Sequence, residues 1–228
     1  MTVAAIHQPN YAPWLGYFHK MALADVFVFL DDAQFSKGSY TNRVQIAGHG
    51  APRWLTVPVQ HAFGAAINAI SPARPDWTRA HLDTLLTAYR DAVYFREAWP
   101  DVQALYEDLP SESLAAVNGA LVARLAKGLG IETRTVTASS LDIGTATGDD
   151  RLIAICKQLG TDVTYLSGRG GAKYQDEAKF PASGISLQYT NFEQRSYPQG
   201  GAAFVAGLSV LDAIFHVGWK GAAALVKS

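Results

Sequence analysis

The sequence predicts an α/β fold with a mostly parallel sheet, and three observations lead there. The opening reads strand, helix, strand: Val3–Ile6 is a short apolar run, Trp14–Ala24 carries helical spacing, and Val26–Leu30 (VFVFL) is β-branched and aromatic at strand length. The same alternation returns after Thr133 and runs to the C-terminus. Between them lies a helical stretch from Trp77 to about Gly128.

A strand, helix, strand unit nearly always gives right-handed parallel neighbours in a sheet covered by helices. Its two outgoing segments, His7–Pro13 and Asp31–Lys37, then share the carboxyl edge, where open α/β sheets bind ligands. Thr41–Val59 reads as a β-hairpin around the glycines of AGHGAP, with Arg43 and Gln45 alternating with Val44 and Ile46, as on a sheet with one wet face. AAINAI, Ala65–Ile70, adds a short strand. Three helices follow, WTRAHLDTLLTAYRDAVYF, EAWPDVQALYEDL and SESLAAVNGALVARLAKGLG; Ser111 is placed to cap the third, and Gly128 with Gly130 to stop it. Then come a strand (TRTVTASSL), a helix (GDDRLIAICKQLG), a strand (DVTYLSG), a glycine-rich loop (RGGAKYQDEAKF), a strand (ISLQYTNF) and a final helical stretch (FVAGLSVLDAIFHVGW). The expectation is one α/β domain over residues 1–228, a Rossmann-like three-layer core with an added β-hairpin and a helical insertion or subdomain at about 77–130.

Composition narrows the function classes. With 228 residues, 49% hydrophobic and 17% charged, the chain has the balance of a globular protein. Its 19 basic and 20 acidic residues leave a net charge of -1 with no basic run, so nothing points to nucleic acid or an anionic membrane. The single cysteine, Cys156, falls on an apolar helical stripe and reads as packing in a reducing compartment. The N-terminus MTVAAIHQPN lacks a basic segment followed by an apolar one, and no apolar run approaches the ~20 residues that span a bilayer, so the expectation is a cytoplasmic protein without membrane insertion.

The connection after the first strand, HQPNYAPW, is longer and more polar than an ordinary turn requires. Pro9 and Pro13 stiffen it. His7 ends the strand, where a ring nitrogen with a pKa near neutrality can meet a ligand, and Gln8, Asn10 and Tyr11 bring further polar groups to the same edge. Asp31 and Asp32 end the next strand pointing opposite ways, so at most one faces the crevice, to bind a metal, orient a base or accept from a ligand hydroxyl; the other reading is an Asp capping a turn. Lys37, Asn42 and Arg43 follow; lysine and arginine together suit a phosphate or carboxylate, although Lys37 alone also reads as a solvated surface residue.

LSGRGGAKY places Arg169, Lys173 and Tyr174 around glycines that let backbone amides approach an anion, or that make a plain turn. Asp212, inside an apolar helix begun by a capping Ser209, needs a partner, with Arg43 or Lys37 as candidates. The six histidines have no zinc spacing, no metal site is expected, and no G-x-S-x-G elbow is present. Trp54, Trp77, Tyr89 and Tyr94 read as core.

Five boxes, HQPNYAPWLGYFHK, DDAQFSKGSYTNR, WLTVPV, YLSGRGGAKY and LSVLDAIFHVG, stand in an order that resembles the WbqC-like family, found in bacteria and often beside surface-polysaccharide genes. Ala12 departs from the leucine or similar residue usual before its P-W pair. The resemblance covers most of the chain and carries over His7, Gln8, Asn10, Tyr11, Trp14, Gly16, Tyr17, Asp32, Lys37, Asn42 and Arg43. It implies a transferase that puts an acyl or aminoacyl group on an amino sugar or another small amine. His7 would be the general base, Asp32 its orienting partner, and Lys37 and Arg43 the grip on the phosphate of a nucleotide or pantetheine arm.

A weaker likeness is to nucleotidylyltransferases with an H-x-G-H box, in which case His19, three residues after Gly16, is a displaced second histidine. The implied co-substrate is an acyl thioester or ATP with Mg²⁺, and the partners are a small-molecule substrate and a carrier protein. A non-catalytic binding or assembly protein is the third reading.

Overall fold

The computed structural model describes residues 1–48, 51–201 and 203–228. In chain order the elements are β1 (Thr2–His7), α1 (Leu15–Ala22), β2 (Val26–Phe29), β3 (Arg43–Ile46), β4 (Arg53–Thr56), β5 (Val59–Gln60), β6 (Ser71–Pro72), α2 (Trp77–Tyr89), α3 (Phe95–Leu105), α4 (Leu114–Gly128), β7 (Arg134–Thr137), α5 (Gly148–Leu159), β8 (Val163–Ser167), α6 (Lys179–Ala182), β9 (Ser186–Tyr189) and α7 (Val210–Val226). Among the described residues no helix is long and apolar enough to cross a membrane.

Five strands form a parallel sheet in the order β7-β2-β1-β8-β9. β1 sits at the centre, with His7 opposite Phe29 of β2 and Ala5 opposite Leu166 of β8. Because successive side chains leave a strand on opposite faces, VFVF divides cleanly: Phe27 and Phe29 join one apolar layer with Leu15 and Phe18 of α1, α4 and α7, whereas Val26 and Val28 join another with Ile153 and Ile155 of α5. The result is the expected three-layer, Rossmann-like α/β arrangement. Cys156 lies buried in the second layer, and burial pushes its thiol up to about 12, which makes it packing rather than a nucleophile.

The hairpin forms as an antiparallel pair of β3 and β4, with Gln45 opposite Trp54; His49 and Gly50 of its expected turn lie outside the described residues. Other expectations need correction. Ala65–Ile70 holds a 3₁₀ turn at Ile67–Ala69 and a lone bridge from Ala66 to Gln34 instead of a strand, and ladder pairing begins at Ser71, against β5. Ser113, not Ser111, caps α4, since its Oγ lies 3.1 Å from the Ala116 amide it accepts from. α7 starts six residues later than Phe204 and is capped by Ser209, and it breaks at Gly218 (φ 72°), where a Cβ would come within 2.9 Å of the Tyr94 ring.

The polar loop after β1 is held by helices distant in sequence. Asn118 of α4, with no exposed surface, donates from Nδ2 to the carbonyls of Pro9 at 2.8 Å and Thr41 at 2.7 Å. Ser209 Oγ donates to the Ala12 carbonyl at 2.7 Å, and the Val210 amide donates to Pro13 at 2.9 Å. These bonds hold Ala12 at φ 39°, a left-handed conformation that costs a non-glycine residue. Tyr11 is buried, its hydroxyl 2.6 Å from His81 Nδ1 and 2.8 Å from the Tyr106 hydroxyl. His81 Nε2 faces the Thr56 carbonyl at 2.9 Å and must donate to it, so Nδ1 accepts from Tyr11; burial holds this imidazole at a pKa of about 4, neutral and fixed in that tautomer.

Removing the Asn118 amide leaves two buried carbonyls without donors. Asn118→Ala is expected to lower stability by about 2–6 kcal/mol, at roughly 1–3 per orphaned group, as read from the midpoint of urea unfolding.

Candidate active site

The strand order turns about β1: the chain runs outward through β2 to β7, then crosses back to β8 and β9 on the other side. Ligand crevices of open α/β sheets lie at such a reversal, beyond the carboxyl ends of the strands. A cleft of about 350 Å³ occupies this place here. One wall is the end of β1 and the start of α1, with His7, Trp14, Gly16, Tyr17 and Lys20; the other is the end of β8 and its glycine turn, with Ser167, Arg169 and Gly171, while Tyr174 and Phe192 line it further out.

His7 stacks on Tyr17, with centroids 4.8 Å apart and planes 24° apart, and Nδ1 is buried without a partner among the described residues. Burial first, and the charge of Lys20 second, push its pKa well below the ordinary histidine value. The imidazole is therefore neutral, not poised near neutrality as the sequence reading had it. Tyr17 donates to the Gln8 carbonyl at 3.2 Å, and burial keeps its phenol protonated.

Lys20 is the residue that sequence reasoning missed. It is 4% exposed, donates to the Ile6 carbonyl at 2.9 Å and lies 5.7 Å from the Phe27 ring centre. Among the described residues it has no carboxylate partner, and burial pushes its ammonium down to about 7. The available signal was its place in an apolar helix, LGYFHKMA, with no acid three or four residues to either side.

Glycines shape both walls. A Cβ on Gly16 would overlap the Trp14 ring, and one on Gly171 would lie 2.6 Å from Gln175 Oε1, so close approach forbids side chains at both positions.

Several expected site residues lie elsewhere. Asp32 does not orient His7: it pairs with Arg151 of α5, in the layer on the opposite face of the sheet. Asp31 accepts from the Ser139 amide at 2.9 Å and from Asn68 at 3.3 Å, tying the end of β2 to the turn after β7. Lys37 is exposed, and Arg43 lies over the Trp54 ring at 4.0 Å, so neither lines the cleft. Asn42 donates to Val57, Gln8 accepts from Thr41, and Tyr11 is locked to His81, which makes all three part of the scaffold.

Asn10 and Lys173 do not line the cleft either. Asp212 is fully buried and accepts from Tyr197 at 2.8 Å and Gln199 at 3.0 Å, so its partners are not Arg43 or Lys37. His19 Nδ1 meets the Val226 carbonyl at 2.7 Å, pointing away as no second histidine of a phosphate box would. Among the described residues no three His, Cys, Asp or Glu side chains gather as a metal centre requires.

A lysine held at about 7 when folded, against ~10.4 unfolded, binds fewer protons in the native state between those values. Its charge therefore destabilises the fold below pH ~7, and the penalty fades as pH rises toward 10. Lys20→Met is expected to raise stability at pH ~6 by on the order of 2 kcal/mol, with the gain shrinking by pH ~9, as measured by denaturant unfolding at both pH values.

Comparison with known proteins agrees with the ordered motifs. The model of the WbqC-like protein family matches residues 8–224. The Uncharacterized protein Rv1507c of Mycobacterium tuberculosis is 33% identical over 222 residues, which cover 96% of this chain and 95% of that protein. With a match that runs through nearly every element from the histidine loop to α7, the chain belongs to the WbqC-like protein family.

Proposed function

We propose that this protein is a group-transfer enzyme that places an acyl or aminoacyl group on an amino sugar or another small amine, in bacterial surface-polysaccharide or specialised metabolism. The observation that carries the reading is His7: a neutral imidazole with an unpartnered buried nitrogen, on the wall of a cleft at the reversal of the sheet. Attack by the amine nitrogen on the donor's acyl carbon forms the N–C bond and leaves that nitrogen cationic and acidic. His7 takes its proton and returns it to the departing thiolate or phosphate as the old C–S or C–O bond breaks. A depressed pKa suits this relay, because the imidazole starts unprotonated and does not retain the proton. Tyr17 fixes the ring by stacking, the task that the sequence reading gave to Asp32.

A second reading, nucleotidyl transfer with ATP and Mg²⁺, is favoured by the start of α1 facing the glycine turn across the cleft, an arrangement suited to phosphates. The readings separate by product: incubation with acyl thioesters, or with ATP and Mg²⁺, and a panel of amino sugars and nucleotide-linked amino sugars releases free thiol in the first case and pyrophosphate in the second. His7→Ala is expected to lower turnover roughly 10²- to 10⁴-fold while circular dichroism is unchanged. Because the folded-state pKa lies below the ordinary value, the acid limb of kcat/KM is expected below pH ~6.5. Turnover unaffected by loss of the imidazole would leave a non-catalytic binding protein as the better account.

A further inference from the structure

Among the described residues, the side chains around the cleft include two cations, Lys20 and Arg169, and not one carboxylate, although the chain as a whole carries a net charge of -1. Lys20 is the more telling of the two. A buried ammonium with a backbone carbonyl and an aromatic ring beside it but, among the described residues, no carboxylate is costly, and such charges are normally paired. Gly168 and Gly170 point the same way. A side chain at either would meet nothing within 4 Å, and neither has a positive φ, so neither packing nor conformation calls for glycine there. What their lack of side chains provides is open backbone on the wall that faces Lys20.

We infer that the cleft takes a phosphate-bearing ligand, with its phosphate or pyrophosphate seated between Lys20, Arg169 and the glycine turn after β8. This deepens the reading above and rests on the cleft being the substrate site. A cavity of about 350 Å³ is at the small end for ligand sites of ~300–1,000 Å³, enough for a diphosphate with one adjoining group. Trp14, Tyr174 and Phe192 supply apolar and aromatic surface for that group. Lys37 and Arg43, the cations expected from the sequence, have no part in the site.

The other titratable groups that line the cleft with Lys20 are His7, Tyr17, Tyr165, Tyr174 and Arg169. Burial keeps His7 neutral and Tyr17 and Tyr165 protonated through the neutral range, while Lys20 loses its charge as pH rises through about 7. Affinity for the anion therefore falls above that pH, by up to about tenfold per unit until the bound lysine's own higher pKa is reached.

The test is isothermal titration of the full chain with inorganic pyrophosphate, ADP and coenzyme A. At least one is expected to bind at submillimolar concentration, Lys20→Met to weaken it tenfold or more, and Arg169→Ala severalfold. The wild-type to Lys20→Met affinity ratio is expected to shrink between about pH 6 and about pH 9, a comparison that cancels the ligand's own ionisation. Preference for ADP or coenzyme A over pyrophosphate identifies a nucleotide or a pantetheine carrier as the phosphate's source. No binding of any of the three at millimolar concentration, or equal binding by wild type and Lys20→Met, overturns the inference. If Lys20→Met does not fold, Lys20→Arg must retain binding and Arg169→Ala must weaken it, and failure of either overturns it too. His7→Ala separates the two claims: bound anion with turnover undiminished sinks the transfer reaction alone, and lost turnover without anion binding sinks the phosphate site alone.

Discussion

Parallel strands all end at one edge, and in this chain the return from β7 to β8 leaves that edge without a covering connection where β1 and β8 lie side by side. Everything at the site is positioned by that reversal. β1 delivers His7 as its last residue, the loop from Gln8 to Trp14 leads from it into α1, and β8 delivers Ser167 and the glycine turn from the opposite side. A one-residue slip of β1 against β2 would carry His7 to the other face, among the valines that pack on α5. The alternation of valine and phenylalanine in β2 makes such a slip costly, because each residue type fills its own layer.

The same edge imposes an obligation. A loop rich in backbone polar groups running between a strand and a helix must find donors for its carbonyls, and here they come from far along the chain: Asn118 for Pro9, Ser209 for Ala12, the Val210 amide for Pro13. The helical stretch between β6 and β7 thereby acts on the site without lining the cleft. The conspicuous residues of the histidine loop accordingly do two jobs. His7, Trp14, Gly16 and Tyr17 face the cleft, whereas Gln8 and Tyr11 hold the loop to the hairpin and the helices.

That division explains what could be read from the residues in advance. Strand and helix identities follow from local periodicity, so the alternating layers, the long helices and the crevice edge were accessible, as was the capping role of Ser209. Partner choice over long separations is not local. Asp32 meets Arg151 and Arg43 meets Trp54 because of where distant strands and helices pack, and no spacing rule reveals either. Lys20 was hidden for a different reason: on an amphipathic helix a lysine normally reaches solvent along its stem, and only burial of the whole side chain distinguishes this one. Buried Ile67 and Ile70 are three apart, the period of a 3₁₀ turn and not of a strand, but a run as short as AAINAI carries too few residues for its period to show.

Three carboxylates singled out in the sequence as partners for a cation or base, Asp31, Asp32 and Asp212, each have donors of their own: the Ser139 amide, Arg151, and the Tyr197 hydroxyl with Gln199. None lines the cleft, so none is placed to neutralise Lys20. A protein that needed only a stable fold would gain by exchanging such a lysine for an apolar side chain. Its presence beside a neutral histidine, the Arg169 side chain and bare glycine backbone makes sense if the missing counter-charge arrives with a ligand, whose binding then recovers the free energy lost by burying the ammonium.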